Sequence, residues 1–410
     1  MPSVAGVQPF NISVPDSAIK RLKDKLELAD WPDEVEFSNS WNYGAPLGDV
    51  KRLANRWKDG FDWRAHEGKI NKQLPQYITK IPVEGFGELD IHFVHQESSN
   101  PDSIPLLFCH GWPGHFLEAA KILPLVTKAS TDGSPSFHVV APSLPNYGFS
   151  SAPSKPGFGI PQYAEVCHKL MLKLGYSLYA TQGGDWGFAI TRMMGVLYLE
   201  HCLASHTNFV RVTKPPTTTE NPSVSLQNSV TPYEEWEKAG LERSKWFMEE
   251  GFGYNLIQAT KPATVGFALR DSPVALLAWI YEKLHDWTDD YPWSDDEILE
   301  WVSIYQFSTA GPGASVRTYY ENTHSEQELT KKVMEYNGKV KLGLSWFPKD
   351  LVVPPRVWGR TLGDVVFEAV HEDGGHFAAH ERPEVLAADL KKMFGKSGGA
   401  EGVIARLVGQ

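Results

Sequence analysis

The chain is poor in cysteine, in long apolar runs and in positive charge. Its three cysteines, Cys109, Cys167 and Cys202, are too few, too scattered and odd in number for a disulfide framework. We therefore expect a reducing compartment and a cytoplasmic location. The N-terminus MPSVAGVQPF has neither a basic start nor an apolar core, so we expect no secretory signal. The apolar run from Val274 to Tyr281 is far too short to span a membrane.

Basic side chains are outnumbered, with 39 Lys and Arg against 50 Asp and Glu, for a net charge of −11. This sign repels nucleic acid and anionic membranes, so neither is an expected partner. At 410 residues the chain exceeds the roughly 250–300 at which one hydrophobic core stops growing, which predicts two domains or one large domain with insertions. The hydrophobic fraction of 42% and the charged fraction of 22% exclude a mostly disordered chain.

Hydrophobic periodicity predicts an α/β fold. Leu89, Ile91 and Phe93 alternate like a strand with one buried face, whereas Ile104 to Cys109 is a short continuous apolar run. Similar strand-like runs follow at 137–141, 177–181 and 204–209, with helical spacing at 163–174 between two of them. Strands that alternate with helices favour a parallel sheet with helical crossovers.

The strand pattern stops at about residue 211 and resumes near residue 342. Between these points, helix-like stretches at 231–249, 273–286 and 294–305 predict an all-helical insertion. We expect an N-terminal segment at 1–85 in which Asp16 caps a first helix, a core at 86–210, a helical cap at 211–330 and a second core part at 331–410. Ligands of open α/β sheets bind at the carboxyl ends of the strands, which the cap would cover.

The most informative motif, Gly183 to Gly187, follows a predicted buried strand and reads GGDWG. Small residues two positions before and after a central residue are typical of a nucleophile elbow, where a strand reverses sharply into a helix. The central residue is Asp185, and the simpler interpretation is an aspartate that caps the following helix. As a nucleophile, its carboxylate would attack a saturated carbon and form an alkyl ester on the enzyme.

Hydrolysis of such an ester needs oxyanion donors and a base. We assign the donors to the backbone N–H groups of Trp112, in the turn His110-Gly-Trp-Pro-Gly, and Trp186. The base is predicted to be His376, in a glycine-rich loop before the last helices, oriented by Asp350. Three other carboxylates could orient His376 in place of Asp350, and they are Asp364, Glu368 and Asp373.

Together these motifs resemble the α/β-hydrolase-fold epoxide hydrolases, specifically the microsomal-type branch with its soluble fungal members. The resemblance covers nearly the whole chain and rests on Phe10 to Asp16, Trp31 to Asp33, Phe61 to Arg64, HGWPG at 110–114, GGDWG at 183–187, FPKD at 347–350 and GGHFAA at 374–379. It implies a mostly parallel central sheet with helices on both faces, an inserted helical cap and an N-terminal meander. It also implies an epoxide and water as reactants, no cofactor or metal, and a homodimer formed through the cap.

An epoxide oxygen leaves as a strongly basic alkoxide, for which a tyrosine of pKa near 10 is an apt proton donor. The insertion holds seven tyrosines, among which composition cannot choose: Tyr233, Tyr254, Tyr281, Tyr291, Tyr305, Tyr319 and Tyr320. The resemblance alone assigns the role to Tyr254 and Tyr319, and a one-residue slip would exchange Tyr319 with Tyr320. It also suggests substrate contacts from His110, Trp112 and Trp186, whereas His115 departs from the family pattern in a way that would narrow or polarise the pocket entrance.

Several alternatives use the same residues differently. A haloalkane dehalogenase has the same aspartate ester, with indole N–H groups such as that of Trp186 holding a halide. A catalytically inactive hydrolase fold would serve as a binding module, although it has no use for the full set of Asp185, Asp350 and His376. The serine-hydrolase motif at 395–399 lacks a preceding buried strand, which argues against an esterase. His376 and His380 could share a helix face as metal ligands, but we expect His380 to be exposed.

Overall fold

The computed structural model of the protein describes residues 4–129 and 133–408. Within these residues, one nine-stranded sheet has the order β1-β2-β3-β5-β4-β6-β7-β8-β9. The strands are β1 (Val7–Pro9), β2 (Gln76–Val83), β3 (Gly87–Gln96), β4 (Ile104–Cys109), β5 (Phe137–Pro142), β6 (Tyr179–Gly183), β7 (Cys202–Thr207), β8 (Asn337–Trp346) and β9 (Gly363–Val370). Strands β4 to β9 pair in parallel, whereas β1, β2 and β3 join the sheet antiparallel.

The predicted α/β-hydrolase fold, a mostly parallel sheet with helices on both faces, is confirmed. The helices are α1 (Asp16–Glu27), α2 (Leu47–Asn55), α3 (Trp63–Gln73), α4 (Leu123–Thr127), α5 (Ile160–Lys173), α6 (Trp186–Leu197), α7 (Pro222–Val230), α8 (Glu235–Trp246), α9 (Gly253–Thr260), α10 (Pro262–Asp271), α11 (Pro273–Asp286), α12 (Asp295–Gln306), α13 (Arg317–His324), α14 (Gln327–Lys331), α15 (Arg356–Gly359), α16 (Ala378–Glu381), α17 (Pro383–Phe394) and α18 (Glu401–Leu407).

The central strands carry the continuous apolar runs that parallel sheets covered on both faces require. Every residue of β4 and of β6 is buried. Strand β6 begins two residues later than the sequence predicts and extends to Gly183, so it leads directly into the GGDWG turn. The strand ends therefore deliver this turn to the edge of the sheet at which α/β proteins bind ligands.

The N-terminal region packs against the helical insertion. Trp57 is fully buried, and its indole Nε1 donates to Ser303 Oγ on α12 at 3.0 Å. The region also contributes β1 and β2 to the sheet, so the sheet begins before residue 85. Asp16 is the first residue of α1 and Pro15 precedes it, so the prediction that Asp16 caps this helix was wrong. The four-part domain division stays a prediction.

The segment between β7 and β8 is helical, and α7 to α14 lie within it. Among the described residues, no single helix is both long and apolar enough to cross a bilayer. Helices α10 and α11 reach that length and composition only when they are taken together, and the chain bends by 114° between them.

Candidate active site

Asp185 lies at a sharp turn between the end of β6 and the start of α6. Its φ of +50° is rare for a residue with a side chain and marks a strained backbone at a functional turn. The flanking glycines make the turn possible, because a Cβ at Gly187 would lie 2.0 Å from the carbonyl oxygen of Cys109. A Cβ at Gly183 would lie 2.5 Å from the carbonyl oxygen of Gly187. The spacing read from the sequence thus has a steric cause.

The Asp185 carboxylate is held between a backbone amide and an imidazole. Its Oδ1 accepts a hydrogen bond from the Trp112 N–H at 2.7 Å, and its Oδ2 lies 3.4 Å from His376 Nε2. Gly111 makes room for this approach, because a Cβ there would lie 2.1 Å from Asp185 Oδ1. In the described part of the chain, His376 is the ion-pair partner of Asp185, and no lysine or arginine pairs with this carboxylate.

His376 links Asp185 to a second carboxylate. Its Nδ1 lies 2.6 Å from Asp350 Oδ1, and Asp350 is 2% exposed. The backbone N–H of Leu351 donates to the same Asp350 oxygen at 2.7 Å, which fixes this carboxylate. The imidazole packs edge-on against Phe209 and Trp287, with ring centroids 5.4 and 5.2 Å apart. The structure therefore brings together Asp185, His376 and Asp350, as the sequence predicted.

The two carboxylates control the protonation of His376. Burial disfavours the imidazolium, but the charges of Asp350 and Asp185 outweigh burial and raise the pKa of His376 to about 10. The ring is therefore charged at neutral pH in the free enzyme. Conversion of Asp185 to a neutral ester would remove one of these charges and lower the pKa of His376, so the imidazolium gives up its proton more readily at the point where a base is needed.

The turn at 110–114 presents the Trp112 amide through contacts that sequence reasoning missed. The peptide bond between Trp112 and Pro113 is cis. The indole of Trp301 donates to Pro113 O at 2.7 Å, and the Tyr305 hydroxyl donates to Gly114 O at 2.6 Å. Trp301 and Tyr305 are four residues apart on α12, which is the one signal that could have placed them on the same helix face.

The second predicted oxyanion donor, the Trp186 N–H, is at the first position of α6. The first N–H groups of a helix have no partner inside that helix, and they carry its positive dipole end. The position of this amide beside Asp185 suits a developing negative charge. Its role as a donor stays a prediction.

Tyr254 and Tyr319, both from the cap, line the same cavity as Asp185. Their rings lie 5.8 Å apart at 82°. The Tyr254 ring stacks on Trp112 at 5.1 Å, and the Tyr319 ring meets Trp186 edge-on at 4.9 Å. Four other tyrosines of the insertion donate their hydroxyl groups to partners outside this cavity. These contacts are Tyr233 to Asn228, Tyr281 to Asp49, Tyr291 to Glu297 and Tyr305 to Gly114.

The structure distinguishes Tyr319 from its neighbour in the sequence. Tyr319 is 2% exposed, and its hydroxyl has no hydrogen-bond partner among the described residues. Tyr320 instead stacks on His324 with ring centroids 3.9 Å apart and does not line this cavity. An unpaired buried hydroxyl is costly, so Tyr319 is poised for a ligand that accepts a hydrogen bond.

Lys283, from α11, is a buried basic side chain beside Tyr254. Its side chain is 3% exposed and forms an ion pair with Glu282. Its Nζ lies 5.1 Å from the ring centroid of Tyr254 and 5.2 Å from that of Trp279. A cation over an aromatic face is attracted to it, and it stabilises a phenolate more strongly than a phenol. The sequence offered no signal for this contact.

His110 and Glu118 support the turn from behind. The His110 Nδ1 lies 2.9 Å from Gly111 O, and its Nε2 accepts from the Leu144 N–H at 3.2 Å. These backbone contacts favour a structural role for His110 over the predicted substrate contact. The Glu118 carboxyl lies against Gly114, where a Cβ would meet Glu118 Oε1 at 1.6 Å. Burial raises the pKa of Glu118 to about 8, so this carboxyl is largely neutral at pH 7.

Two other histidines differ from expectation. We expected His380 to be exposed, but it is buried, with only 8% of its surface accessible. It lies on the short helix α16, which faces the cap, and the His380 ring stacks on Trp293 with ring centroids 4.9 Å apart. Its Nε2 lies 3.0 Å from Lys121 Nζ. His115 is fully buried and packs on Trp301 at 4.3 Å, behind the turn rather than at an entrance. Among the described residues, no group of three or more His, Cys, Asp or Glu side chains is placed to hold a metal ion.

Asp185, Tyr254 and Tyr319 face one cavity of about 410 Å³ between the sheet edge and the cap. Its walls are mostly apolar, and the other lining residues are Trp186, Phe209, Arg211, Thr213, Lys214, Phe247, Met248, Phe252, Asn255, Leu351 and Val352. A cavity of this size and character suits a small, largely apolar molecule.

Comparison with known proteins identifies two family models in the chain. Residues 7–119 match the model described as the epoxide hydrolase N terminus, and residues 104–239 match that of the alpha/beta hydrolase fold. A putative epoxide hydrolase of Stigmatella aurantiaca is 36% identical over 402 residues, which cover 95% of this chain and 85% of that protein. Epoxide hydrolase 1 of Sus scrofa is 34% identical, with 95% and 88% covered.

Solved structures give the same result. The epoxide hydrolase of Aspergillus niger superposes with a TM-score of 0.81 at 36% identity, over 95% of this chain and 96% of that chain. The juvenile hormone epoxide hydrolase of the silkworm Bombyx mori superposes with a TM-score of 0.86 at 30% identity, over 98% and 95% of the two chains.

Proposed function

The chain belongs to the epoxide hydrolase family, and from this premise we propose that it converts epoxides to vicinal diols through an alkyl ester on Asp185. The observation that carries this proposal is the position of His376, which lies 3.4 Å from Asp185 and 2.6 Å from Asp350. A nucleophile, a base and an orienting carboxylate in this contact are the parts that a two-step ester mechanism needs.

In the first step, an Asp185 oxygen attacks one ring carbon, and the bond from that carbon to the epoxide oxygen breaks. Tyr254 and Tyr319 face the same cavity from the cap, and they hydrogen-bond the departing oxygen. One of them transfers its proton, which leaves a hydroxyl on the alkyl chain and a phenolate on the enzyme. The cation of Lys283 over the ring supports Tyr254 as the donor.

In the second step, water attacks the carbonyl carbon of the ester. His376 Nε2 takes a proton from this water while Asp350 stabilises the imidazolium through Nδ1. The negative oxygen of the tetrahedral intermediate is held by the N–H groups of Trp112 and Trp186. Collapse releases the diol and restores the Asp185 carboxylate. His376 keeps the proton taken from water and is again the imidazolium of the resting enzyme, while the tyrosinate takes up from solvent the proton that His376 gave to solvent before this step.

The leaving group separates this proposal from a dehalogenase. An oxygen that departs as alkoxide needs hydroxyl donors, and the unpaired Tyr319 hydroxyl lies beside Tyr254 in the cavity. The Trp186 indole N–H is also unpaired among the described residues, but it is a single donor against two phenols. The arrangement favours an epoxide over an alkyl halide.

The test is to mix the variant His376→Gln with styrene oxide and to analyse the protein by mass spectrometry. We expect a covalent adduct equal in mass to the epoxide on the peptide that contains Asp185, because ring opening does not require the base. His324→Gln, at an exposed position outside the site, is the control and should turn over without accumulation. Full turnover by His376→Gln without an adduct would contradict the proposal.

A cytoplasmic location and a homodimer complete the proposal. The location is supported by three free, buried cysteines, which suit a reducing compartment. The dimer is supported by exposed apolar side chains on the cap, namely Leu256 and Phe267. Analytical ultracentrifugation of the wild type and of Phe267→Ser tests the proposed homodimer.

A further inference from the structure

The active-site cavity reaches solvent beside two cations. Arg211 and Lys214 lie in the segment that follows β7, and both line the cavity that contains Asp185. Both residues are exposed, as are the neighbouring lining residues Thr213 and Met248. These four residues therefore form the rim of the cavity, whereas Tyr254 and Tyr319 are buried within it.

Neither rim cation is neutralised by a side chain in the part of the chain that the structure describes. Within the described residues, Arg211 and Lys214 form no hydrogen bond or ion pair. Asp185 is the only carboxylate that lines the cavity in the described part of the chain, since Glu249 and Glu250 follow Met248 outside the lining. The rim therefore carries local positive charge, although the net charge of the chain is −11.

The interior behind the rim is apolar. The apolar residues Phe209, Phe247, Leu351 and Val352 also line the cavity, and all four are buried. A substrate that fits has a reactive oxirane at one end, an apolar body and a group at the rim. Free cations at the rim attract a negative group both during approach and after binding, whereas a neutral group gains nothing from them.

We propose that this enzyme prefers epoxides whose alkyl chain carries a carboxylate, which Arg211 and Lys214 recognise at the cavity rim. This inference rests on the proposed function, because it assumes that the oxirane reacts at Asp185. Arg211 also reaches the reacting groups electrostatically. Burial and Asp185 raise the pKa of Tyr254, and Arg211 opposes them.

The experiment compares 10,11-epoxyundecanoate with its primary amide, which has nearly the same shape and no charge. The measured quantity is the ratio of kcat/KM for the acid to that for the amide at low ionic strength. The wild type is compared with Arg211→Gln/Lys214→Gln. The control, Lys261→Gln/Arg406→Gln, changes the net charge equally at exposed positions outside the cavity. A ratio cancels any effect of Arg211 on Tyr254 that both substrates share.

We expect a wild-type ratio of about 3 to 10, because each exposed pair of charges contributes little on its own. The ratio should fall to 1 or below in the rim variant, stay unchanged in the control and decrease in the wild type as salt is added. A wild-type ratio of 1 or less, or an unchanged ratio in the rim variant, would overturn the inference. Styrene oxide separates the two proposals, because failure of the wild type to hydrolyse styrene oxide, acid and amide alike would instead refute the proposed function.

Discussion

The two sides of the active-site cavity are built differently. On the core side, Asp185, His376 and Asp350 follow strand ends and hold one another through charged contacts of 2.6 and 3.4 Å. On the cap side, Tyr254 and Tyr319 come from helices, are neutral, and leave the Tyr319 hydroxyl unpaired among the described residues. The nucleophile, base and orienting carboxylate of the core side already contact one another, whereas the Tyr319 hydroxyl on the cap side lacks a partner among the described residues, so we assign ester chemistry to the first and oxygen recognition to the second.

The largest effect is expected on the core side, from Asp350→Asn. Loss of this charge leaves the imidazolium of His376 without its main partner, and turnover should fall on the order of 10⁴-fold. Ring opening should persist, so the ester on Asp185 should accumulate in rapid-quench mass spectrometry.

Asp364→Asn is the matched control for Asp350→Asn. Asp364 was a rival in the sequence but lies in a half-exposed ion pair with Lys341, so turnover should change little. Loss of ring opening in Asp350→Asn would break the separation between the two sides of the cavity.

Removal of both cap hydroxyls should block ring opening, whereas Asp350→Asn blocks hydrolysis of the ester. Tyr254→Phe/Tyr319→Phe is expected to slow ring opening about 10²- to 10⁴-fold, the range for general acid catalysis, with no ester accumulation. The measurement is the pre-steady-state rate of ester formation, with circular dichroism as a check on the fold. Tyr320→Phe is the control, because that residue lies outside the cavity. Ester formation at the wild-type rate in the double variant would show that the cap tyrosines do not act on the oxygen.

A smaller effect is expected from Lys283→Met, which removes the cation over the Tyr254 ring. Cation–π contacts contribute about 0.5–2 kcal/mol, so ring opening should slow about 2- to 30-fold while hydrolysis of the ester is unchanged. Lys283→Arg should recover part of the rate, and Lys245→Met, at an exposed cap position, should have no effect. An equal slowing of both steps by Lys283→Met would indicate a purely structural role.

The smallest change concerns the titration of His376. Removal of the nearby charge in Asp185→Ala should lower the pKa of His376 from about 10 by about 1 to 3, as measured by NMR of the imidazole. Because the folded pKa lies above the unfolded value of 6.5, this ring stabilises the fold fully below pH 6.5, and the stabilisation is lost as pH rises towards 10. The wild type should therefore lose more stability than Asp185→Ala between pH 7 and pH 10. An unchanged pKa in the variant would show that Asp185 does not control His376.

The sequence predicted the core side better than the cap side for a physical reason. A nucleophile elbow needs small residues at fixed positions around Asp185, so five consecutive residues of the sequence are enough to predict its geometry. Asp350 stood among three rivals, and the structure places those in other ion pairs, Asp364 with Lys341, Glu368 with Arg360 and Asp373 with Arg382. Strand ends bring residues together in a way that the order of elements already implies.

The cap side depends on packing between helices, which local spacing does not encode. Seven tyrosines were indistinguishable by composition, and only a family resemblance selected Tyr254 and Tyr319. The contacts of Lys283, Trp301 and Tyr305 are tertiary, and no motif indicated them. The exposure of His380 was mispredicted for the same reason, since its burial depends on the ring of Trp293 in the cap.

The central claim, that Asp185 forms the ester, is tested most directly by one turnover in H₂¹⁸O with enzyme in excess over styrene oxide. Because water attacks the ester carbonyl, we predict a diol without ¹⁸O and one ¹⁸O atom on the peptide that contains Asp185. A diol with one ¹⁸O atom and an unlabelled peptide would mean that water attacks the epoxide itself, which would contradict the account.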